Sequence, residues 1–403
     1  MKVAVIGGGA AGFFAALSCR HHHPDASITI YEKSGKLLSK VKVSGGGRCN
    51  VTNGCTQISK LAGFYPRGSR QLKKAFGVFS TQDTFTWFES RGVKLKTEPD
   101  NRVFPISNDS QTIIDCLMDE TKRSSIVIKL NQRITGIKTI ESGYQLEVDG
   151  QGVDVNKIII ATGGSPKIEG FAWLRDLGHT IEAPVPSLFT FNMPGESIKK
   201  LMGLSVHNVA VRVQGTKLKE EGPLLVTHWG MSGPAILKLS AYGARVLHEL
   251  NYNFNLQVCW VGADTREKDI LDICTHHISE FTKRKIINRN PFDLPNRLWE
   301  FLLHKIELRE DITWGELGKK GLNKLINILL NDVYTVKGKT TFKEEFVTCG
   351  GVSLADIDFN TMQSKKCKGI YFAGEVLDID GVTGGFNFQA AWTTGYMAGK
   401  LNV

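Results

Sequence analysis

The hydrophobic pattern divides the chain into buried strands, amphipathic helices and turns. Residues 3–6 and 158–160 are runs of apolar residues, which is typical of strands buried on both faces of a parallel sheet. An apolar stretch at 13–17 and a second strand pattern at 28–31 follow the first run. Their order predicts a β-α-β unit over about the first 45 residues.

Helices and short strands are predicted between the two buried runs. Residues 70–90 have helical spacing with a stop at Gly92, and 110–122 form an amphipathic pattern with Ser110 as the N-cap. Four strand patterns then predict a small antiparallel meander: 126–130, 134–140, 144–148 and 153–160.

The second half of the chain changes character twice. From about 188 to 264 the pattern has strand spacing, and from 265 to 336 it has the 3.6-residue spacing of helices. The helical stretches are 268–283, 297–308 and 314–332. We therefore expect an all-β segment followed by a helical one.

The first twelve residues carry a glycine fingerprint between strand and helix. Gly7-x-Gly9-x-x-Gly12 follows the strand at 3–6, and Glu32 stands twenty residues beyond Gly12, after the second strand. In a dinucleotide site these glycines make the tight turn, admit the pyrophosphate to the backbone and let the helix pack on the strand, while the carboxylate binds ribose hydroxyls. The pattern predicts a bound adenine dinucleotide.

Two later segments indicate which dinucleotide is bound. A buried strand at 370–373 ends in Gly374-Glu375, and an Asp-Gly turn leads to Gly384-Gly385 and a helix that starts near Asn387. The N-terminus of such a helix suits the negative charge that reduced flavin carries at its pyrimidine edge. The buried strand at 157–160 also enters a glycine turn, which ends at Gly164. Segments so far apart fit the long FAD molecule better than NAD held by one compact unit.

Four motifs occur in a characteristic order. They are Lys40-x-x-x-Ser44-Gly-Gly-Gly-Arg48-Cys-Asn-Val-Thr-Asn53, Ala161-Thr-Gly-Gly164, Thr227-His-Trp-Gly-Met-Ser-Gly-Pro234 and Gly374-Glu-Val-Leu-Asp-Ile-Asp-Gly-x-x-Gly-Gly-Phe-Asn-x-Gln389. This combination resembles the HI0933-like family of bacterial NAD(P)/FAD-dependent oxidoreductases over essentially the whole chain. The resemblance does not imply one substrate, since characterised relatives reduce quite different unsaturated compounds.

The resemblance implies an α/β fold with a Rossmann-like FAD-binding domain of the GR2 type. An inserted β-rich domain and a helical cap are expected to interrupt it. We place the FAD-binding domain at 1–187 and 345–403, the β-rich domain at 188–264 and the helical cap at 265–344.

The residues expected to bind FAD come from these motifs and their neighbours. Ile134 is added because it lies just past the strand that would cover the adenine. The set is Gly7, Gly9, Ala10, Ala11, Gly12, Glu32, Lys33, Lys40, Ser44, Gly45, Gly46, Arg48, Ile134, Thr162, Gly163, Gly164, Gly374, Glu375, Asp380, Gly385, Asn387, Phe388 and Gln389.

Cys49 and His228 are the candidate catalytic residues. Reducing a carbon–carbon double bond needs a hydride from the flavin and a proton from an acid on the opposite side. The family motif is expected to place Cys49 near the isoalloxazine, with Arg48 lowering its pKa. The alternative is a small buried cysteine that lets the glycine turn pack against FAD. His228 lies in a Gly/Ser-rich turn and suits either an acid or a packing histidine.

Composition narrows the classes of protein. The chain has 403 residues, 41% of them hydrophobic, and its sequence contains no apolar stretch of about eighteen residues that would predict a membrane span. Its eight cysteines contain no C-x-x-C pair, which disfavours iron–sulfur, zinc and dithiol sites and fits reduced thiols in the cytoplasm. The run His21–His23 precedes Pro24 and predicts a solvated helix end rather than a metal site. We expect no bound metal.

Positive charge is concentrated in one segment. Lys33–Lys74 contains ten Lys or Arg and no acidic residue, which equals the whole formal net charge of +10. Either a few of these cations neutralise the FAD pyrophosphate and the rest are solvated, or the segment guides a polyanion such as ribosomal RNA to the flavin. Four aromatic residues are interleaved with them and suit base stacking or a core: Phe64, Tyr65, Phe76 and Phe79.

The sequence predicts an FAD-dependent oxidoreductase that reduces an activated C=C bond with electrons from NAD(P)H. The basic segment favours a nucleic-acid base, such as uridine reduced to dihydrouridine in ribosomal RNA, over a small enone metabolite. Two alternatives remain: a flavin- and folate-dependent RNA-modifying transferase, and a non-catalytic FAD protein of ribosome assembly. No second glycine fingerprint follows a strand, so NAD(P)H is expected to visit the flavin as a transient reductant. The oligomeric state stays open.

Overall fold

The computed structural model describes residues 1–340 and 347–402. These residues divide into two compact units: Met1–Ser187 with the described part of Phe342–Val403, and the described part of Leu188–Thr341. The second unit contains both the strand-patterned and the helical segments of the sequence. Their separation into two domains stays a prediction, and its boundary at residue 345 lies outside the described residues.

The regular elements are numbered here in chain order. The strands are β1 Lys2–Ile6, β2 Ser27–Tyr31, β3 Thr52–Asn53, β4 Leu95–Thr97, β5 Arg102–Pro105, β6 Val127–Lys129, β7 Ile134–Ile140, β8 Gly143–Val148, β9 Gln151–Val155, β10 Lys157–Ile160, β11 Ile181–Ser187, β12 Thr190–Asn192, β13 Ser205–Val213, β14 Lys219–Val226, β15 Gly230–Ser232, β16 Asn253–Cys259, β17 Asp332–Lys337, β18 Lys339–Thr340, β19 Val347–Val352, β20 Ile357–Asp358, β21 Gln363–Ser364 and β22 Ile370–Phe372. The α-helices are α1 Ala10–His22, α2 Ser39–Val43, α3 Ile58–Ala62, α4 Ser69–Ala75, α5 Thr81–Glu89, α6 Gln111–Arg123, α7 Ala172–Asp176, α8 Pro234–Tyr242, α9 Ala244–Glu249, α10 Glu267–Glu280, α11 Asn296–Lys305, α12 Gly318–Asn331 and α13 Phe386–Gly399.

The first unit is built on a seven-stranded sheet in the order β20-β21-β22-β10-β1-β2-β6. From β22 to β6 the strands run parallel, and Val5 of β1 lies between Ile159 of β10 and Ile30 of β2. These three side chains are fully buried, as expected for the centre of a parallel sheet. The predicted Rossmann-like α/β fold is confirmed.

Helices α1 and α13 approach each other through glycines. A Cβ atom on Gly395 would lie 2.8 Å from the Ala11 oxygen, and one on Gly399 would lie 2.4 Å from the Ala15 oxygen. The two pairs are in the same order along both helices, so the helices run in the same direction. Helix α13 starts nine residues before Gly395, whereas α1 starts one residue before Ala11. With a rise of about 1.5 Å per residue, the N-terminus of α13 therefore extends about 12 Å past the N-terminus of α1. The N-termini of the two helices are thus offset from each other along the pair.

The predicted four-stranded meander is wrong at both ends. Only β7, β8 and β9 form an antiparallel sheet, while β6 pairs in parallel with β2 and β10 pairs in parallel with β1. The apolar run of β10 is buried throughout, which suits the centre of the main sheet rather than an exposed meander.

Two helix predictions also needed correction. The stretch 70–90 forms two helices, α4 and α5, because Ser80 caps α5 in a capping box with Asp83. Helix α6 confirms the amphipathic pattern at 110–122, but the Ser110 hydroxyl donates to the Lys42 oxygen at 2.8 Å and does not cap the helix.

The second unit contains a seven-stranded antiparallel sheet in the order β17-β16-β13-β14-β15-β12-β18. Its core includes the buried Trp260, Trp299 and Trp314, which lie among residues of the sheet and of helices α10, α11 and α12. The three predicted helical stretches are confirmed, although α12 starts at Gly318 rather than near Trp314. In the described parts of both units, every helix is too short or too polar to cross a membrane.

Candidate cofactor site

The three fingerprint glycines occupy three different environments between β1 and α1. Gly7 has a left-handed φ of +114°, and a Cβ there would lie 2.3 Å from the Ala161 oxygen. A Cβ on Gly12 would lie 1.9 Å from the Gly7 oxygen, so Gly12 allows the helix to pack on the turn. A Cβ on Gly9 would meet nothing within 4 Å. Gly9 therefore borders open space at the helix N-terminus, where a pyrophosphate is expected.

Glu32 lies beside this turn at the end of β2. Its Oε2 accepts a hydrogen bond from the Gly8 amide at 2.8 Å, and its Oε1 accepts from the amide and hydroxyl of Ser34 at 2.9 and 2.8 Å. The neighbouring Lys33 is exposed. The acid thus lies beside the glycine turn, and its Oε2, which accepts one hydrogen bond, keeps capacity for a further donor such as a ribose hydroxyl.

Glu375 joins distant segments of the chain. Its Oε2 accepts from the Lys40 ammonium of α2 at 2.6 Å, and its Oε1 accepts from the Thr348 amide of β19 at 2.9 Å. A Cβ on Gly164 would lie 3.0 Å from the same Oε1. The turn that contains Thr162 and Gly163 after β10 therefore lies beside this carboxylate.

The Gly374-Glu375 turn is also fixed against the first helix. Gly374 has a left-handed φ of +77°, and a Cβ there would lie 2.7 Å from the Ala11 Cβ. The Gly374 amide donates to the Thr394 hydroxyl of α13 at 2.8 Å. This packing brings the start of α1, including Ala10, next to the late turn that sequence analysis assigned to the same cofactor.

The start of α13 is held by backbone and amide contacts. Gly385 has a φ of +88°, and a Cβ there would lie 2.2 Å from the Thr52 oxygen. The Asn387 side chain donates to the Gly381 oxygen at 2.9 Å and accepts from its amide at 2.8 Å. Asn387 therefore shapes the loop before the helix, while Phe388 stacks on Trp392 in the next turn.

Gln389 is fully buried in a network of threonine hydroxyls. Its Oε1 accepts from Thr52 at 2.6 Å and from Thr84 at 2.8 Å, and its Nε2 donates to Thr393 at 3.0 Å. These bonds use the side chain to join α13 to β3 and α5. Gln389 thus fixes the position of α13.

The segment Ser44–Cys49 forms a turn of unusual backbone geometry. Gly45, Gly46 and Gly47 all have left-handed φ angles, and Cys49 has a φ of +59°. A Cβ on Gly46 or Gly47 would meet nothing within 4 Å, so the turn presents bare backbone to open space. The Ser44 hydroxyl donates to the Val41 oxygen at 3.0 Å and thereby anchors the turn to α2.

The expected activation of Cys49 by Arg48 is wrong. The thiol is fully buried, and burial raises its pKa to about 12. Arg48 instead donates to Glu98 Oε1 at 2.7 Å and lies over the Phe104 ring at 4.0 Å. The Arg48 charge is therefore paired with Glu98 and not with the thiol. Cys49 is neutral near pH 7.

Asp380 is bonded to protein partners. Its carboxylate is fully buried, accepts from the Arg67 guanidinium and accepts from the Ser187 hydroxyl at 2.6 Å. Burial raises its pKa, and the Arg67 charge opposes that effect. Arg67 of the basic segment thus forms a buried ion pair with Asp380, and the contact of Asp380 with FAD stays a prediction.

Ile134 and His228 are the two predicted residues that remain, and they belong to different units. Ile134 begins β7 of the meander and is half-buried. His228 belongs to the second unit, where it is exposed and lies beside the Trp229 ring. His22 ends α1 with its ring bonded to the Ser18 oxygen, and no group of three His, Cys, Asp or Glu in residues 1–340 and 347–402 is placed to hold a metal ion.

Three residues of the neighbourhood were missed by sequence analysis. Arg67 stood within the basic segment but without an assigned partner, and Glu98 lies fifty residues from the Arg48 that it binds. Thr348 lies within β19 and precedes Gly350-Gly351; its hydroxyl is buried without a partner in the described chain. The Thr348-x-Gly-Gly351 pattern, which lies within β19, was the available signal for it.

The residues present fit an extended dinucleotide. Bare backbone at Gly9, Gly46 and Gly47 borders open space, and the N-termini of α1 and α13 are offset along one unit. Neither first turn contains an acidic residue that would repel an anion. The fold and this site define the protein as an FAD-dependent oxidoreductase of the Rossmann-like class.

The chain belongs to the HI0933-like family, because the model of the HI0933-like protein Rossmann domain matches residues 1–401. Two curated relatives match over nearly their whole length. The 3-dehydro-bile acid delta(4,6)-reductase of Clostridium scindens is 26% identical over 407 residues, with 99% of this chain and 98% of the relative covered. The ribosomal RNA dihydrouridine synthase of Escherichia coli strain K12 is 28% identical over 406 residues, with 97% and 95% covered.

Solved structures of low identity share the fold. A 3-ketosteroid-delta4-(5alpha)-dehydrogenase from Rhodococcus jostii RHA1 is 12% identical with a TM-score of 0.51, covering 99% of this chain and 97% of that one. A 3-ketosteroid delta1-dehydrogenase from Sterolibacterium denitrificans is 11% identical with a TM-score of 0.52, covering 98% of each chain.

Proposed function

We propose that this oxidoreductase reduces an activated C=C bond in an RNA base, converting uridine to dihydrouridine in ribosomal RNA with electrons from NAD(P)H. The observation that carries the proposal is an excess of exposed cations in the unit that contains the cofactor site. The relative named as a ribosomal RNA dihydrouridine synthase supports the same substrate class.

The cations of the basic segment fall into two groups. Lys40, Arg48 and Arg67 each pair with a carboxylate. The others are exposed and make no ion pair among the described residues: Lys33, Lys36, Lys42, Lys60, Arg70, Lys73 and Lys74. Seven solvated cations exceed the number needed to neutralise one pyrophosphate. A surface of this kind binds the phosphodiester groups of a nucleic acid with an affinity that rises with its positive charge.

The chain's own residues have separate tasks in this proposal. When bound and reduced by NAD(P)H, FAD would be the source of the hydride for the substrate carbon. Gly9 and the amides at the start of α1 hold the pyrophosphate, Glu32 holds the ribose, and the N-terminus of α13 stabilises negative charge at the flavin's pyrimidine edge. A buried neutral thiol with a pKa of about 12 is a poor proton donor, so we retain His228 as the candidate acid.

A small enone is the second candidate substrate. The relative named as a bile acid reductase acts on a steroid, and its match covers 99% of this chain. A bile acid carries one carboxylate and RNA carries one charge per phosphate, so binding of the two candidates differs in how steeply it depends on salt.

An anaerobic reoxidation experiment separates the candidates. The purified holoenzyme is reduced with NADH or NADPH, and either a ribosomal RNA transcript or a steroid enone is added while flavin absorbance is recorded. We expect RNA to restore oxidised flavin and to acquire dihydrouridine without added folate. Reoxidation by the enone alone would contradict the RNA proposal, and a strict need for a folate one-carbon donor would favour the transferase. His228→Gln is expected to slow reoxidation while FAD is retained.

A further inference from the structure

We propose that the exposed face of α4 is the surface on which RNA phosphates dock, and that residues 64–68 couple this docking to the cofactor loop 379–386. The inference rests on the proposed function and specifies which part of the basic segment the RNA contacts. It also assigns Arg67 as a positioning residue.

Helix α4 has a charged face and a buried face. Arg70, Lys73 and Lys74 are exposed and follow the i, i+3, i+4 spacing that places side chains on one side of a helix. Leu72 and Ala75 are fully buried on the other side. Because the apolar residues of α4 are used for packing, its outer face suits a phosphate backbone better than a membrane surface, which would require exposed apolar residues.

The neighbouring sequence strengthens the positive field of this face. Lys60 on α3, which packs against α4, is also exposed. No Asp or Glu occurs from residue 33 to residue 82, so the cations of α3 and α4 have no local carboxylate. The electrostatic attraction to a polyanion is therefore not cancelled within the segment.

The residue that precedes α4 is in close contact with the cofactor loop. Gly68 has a left-handed φ of +80°, and a Cβ there would lie 2.7 Å from Ile379 Cγ1. Next to it, Arg67 pairs with Asp380 through its guanidinium and also through a β-bridge of the two backbones. The start of α4 and residues 379–380 are thus joined side by side.

A second set of contacts joins Phe64 and Tyr65, which precede Arg67, to Val382 and Phe386, which follow Asp380. The Val382 amide donates to the Phe64 oxygen at 3.0 Å, and the Tyr65 hydroxyl donates to the Phe386 oxygen at 2.7 Å. The rings of Phe64 and Phe386 stack with centroids 4.4 Å apart. Phe386 is the first residue of α13, so residues 64–68 are connected directly to the helix N-terminus that faces the cofactor.

This arrangement predicts linkage between the two ligands. A polyanion that holds α4 also holds residues 64–68, and through them the loop that positions the start of α13. Linkage is reciprocal, so RNA binding must tighten FAD binding by the same factor by which FAD tightens RNA binding. Arg67 contributes by position, since its charge is already paired with Asp380.

The docking surface is tested with two variants of equal charge change. Arg70→Gln/Lys73→Gln/Lys74→Gln removes the α4 cations, and Lys268→Gln/Lys319→Gln/Lys320→Gln removes three exposed helix lysines of the second unit. The affinity of each holoenzyme for polyuridine is measured over a range of salt concentrations. We expect the α4 variant to lower the slope of log K against log salt by about 2, because each phosphate contact on a single strand contributes about 0.7. The control variant is expected to keep the wild-type slope.

The coupling is tested with Arg67→Lys, which keeps the charge but loses the forked contact with Asp380. Wild-type holoenzyme is expected to change its flavin absorbance on addition of polyuridine, and the variant to bind polyuridine within about 3-fold of wild type without that change. Asp380→Asn is the second variant in case Arg67→Lys does not fold. Equal slopes for the two triple variants would overturn the docking surface and would leave the proposed reduction of RNA intact. A flavin absorbance change as large as that of wild type in Arg67→Lys and Asp380→Asn would overturn the coupling. Absence of salt-dependent binding by wild type would contradict the proposed function itself.

Discussion

The Lys40 ammonium lies 2.6 Å from the Glu375 carboxylate, although 335 positions separate the two residues in the chain. This pair joins α2 to the turn after β22, and the Thr348 amide of β19 completes the contact on the other carboxylate oxygen. The contact therefore gathers pieces that surround the predicted course of the cofactor. Because of this position, we expect FAD affinity to depend on the Lys40–Glu375 ion pair.

Replacing Lys40 is expected to affect the cofactor more than the fold. Lys40→Met should weaken FAD binding about 10-fold, because the loss leaves the Glu375 carboxylate without its cation beside the expected course of an anionic dinucleotide. The free energy of unfolding of the apoprotein should change by less than about 1 kcal/mol because the Lys40 side chain is half exposed. FAD titration and urea unfolding measure the two effects. Lys36→Met, an exposed lysine of the same segment, is the control and is expected to change neither quantity.

Two alanine substitutions in the fingerprint should have opposite consequences. Gly9→Ala adds a methyl group into open space, so the apoprotein should keep its stability while FAD binding weakens at least about 10-fold. Gly12→Ala places a Cβ against the Gly7 oxygen and should destabilise the apoprotein by about 1–3 kcal/mol. Urea unfolding and FAD titration of both variants provide the comparison. Equal stability losses in both variants would contradict the assignment of Gly9 to the cofactor.

Cys49 is expected to be dispensable for proton transfer. With a pKa of about 12 the thiol is neutral and buried, so Cys49→Ala should retain FAD and turn over within about threefold of wild type. Iodoacetamide should modify the more exposed Cys55 before Cys49. A loss of turnover greater than about 100-fold with FAD still bound would restore a direct role for the thiol.

Stability should decline on mild acidification because of His179. Burial lowers the pKa of His179, whose ring bonds to the Ser364 hydroxyl at 2.8 Å and to the Leu174 oxygen. Below about pH 6.5 the unfolded chain binds a proton that the folded chain does not, so this contribution is present at higher pH and is lost as the pH falls through 6.5 toward the folded-state pKa.

The matching measurement is urea unfolding of wild type and His179→Gln between about pH 7.5 and about pH 5.5. The wild-type unfolding free energy should fall more steeply with acidification than that of the variant, which cannot titrate at this position. Parallel profiles would show that His179 does not carry the acid sensitivity.

Local patterns predicted much of the first unit correctly. The buried strands at 3–6, 157–160 and 370–373 are parallel neighbours in the sheet, and the predicted glycine turn follows the first of them. Continuous apolar runs and glycine turns specify this geometry locally. The meander failed at β6 and β10 because strand spacing does not specify a pairing partner, and pairing is decided by contacts between residues far apart in the chain.

The chemistry of single side chains was predicted less well than the fold. Arg48 next to Cys49 suggested an activated thiol, yet Glu98 and Phe104, which come from distant positions, hold the guanidinium. Asp380 suggested a ligand contact, yet Arg67 and Ser187 occupy its oxygens. In both cases the partner was a residue whose proximity only the folded chain creates. For Cys49, burial also raises the pKa that Arg48 was expected to lower.

The central claim is that segments around Gly9, Gly46, Glu375 and Gly385 together hold one FAD. The most direct test is to purify the protein, record its visible spectrum, release the flavin by denaturation and identify and quantify it. The account predicts a yellow protein that releases an equimolar amount of FAD, and a Gly9→Ala variant that folds but releases markedly less. A colourless wild-type protein that also fails to take up added FAD would contradict the account.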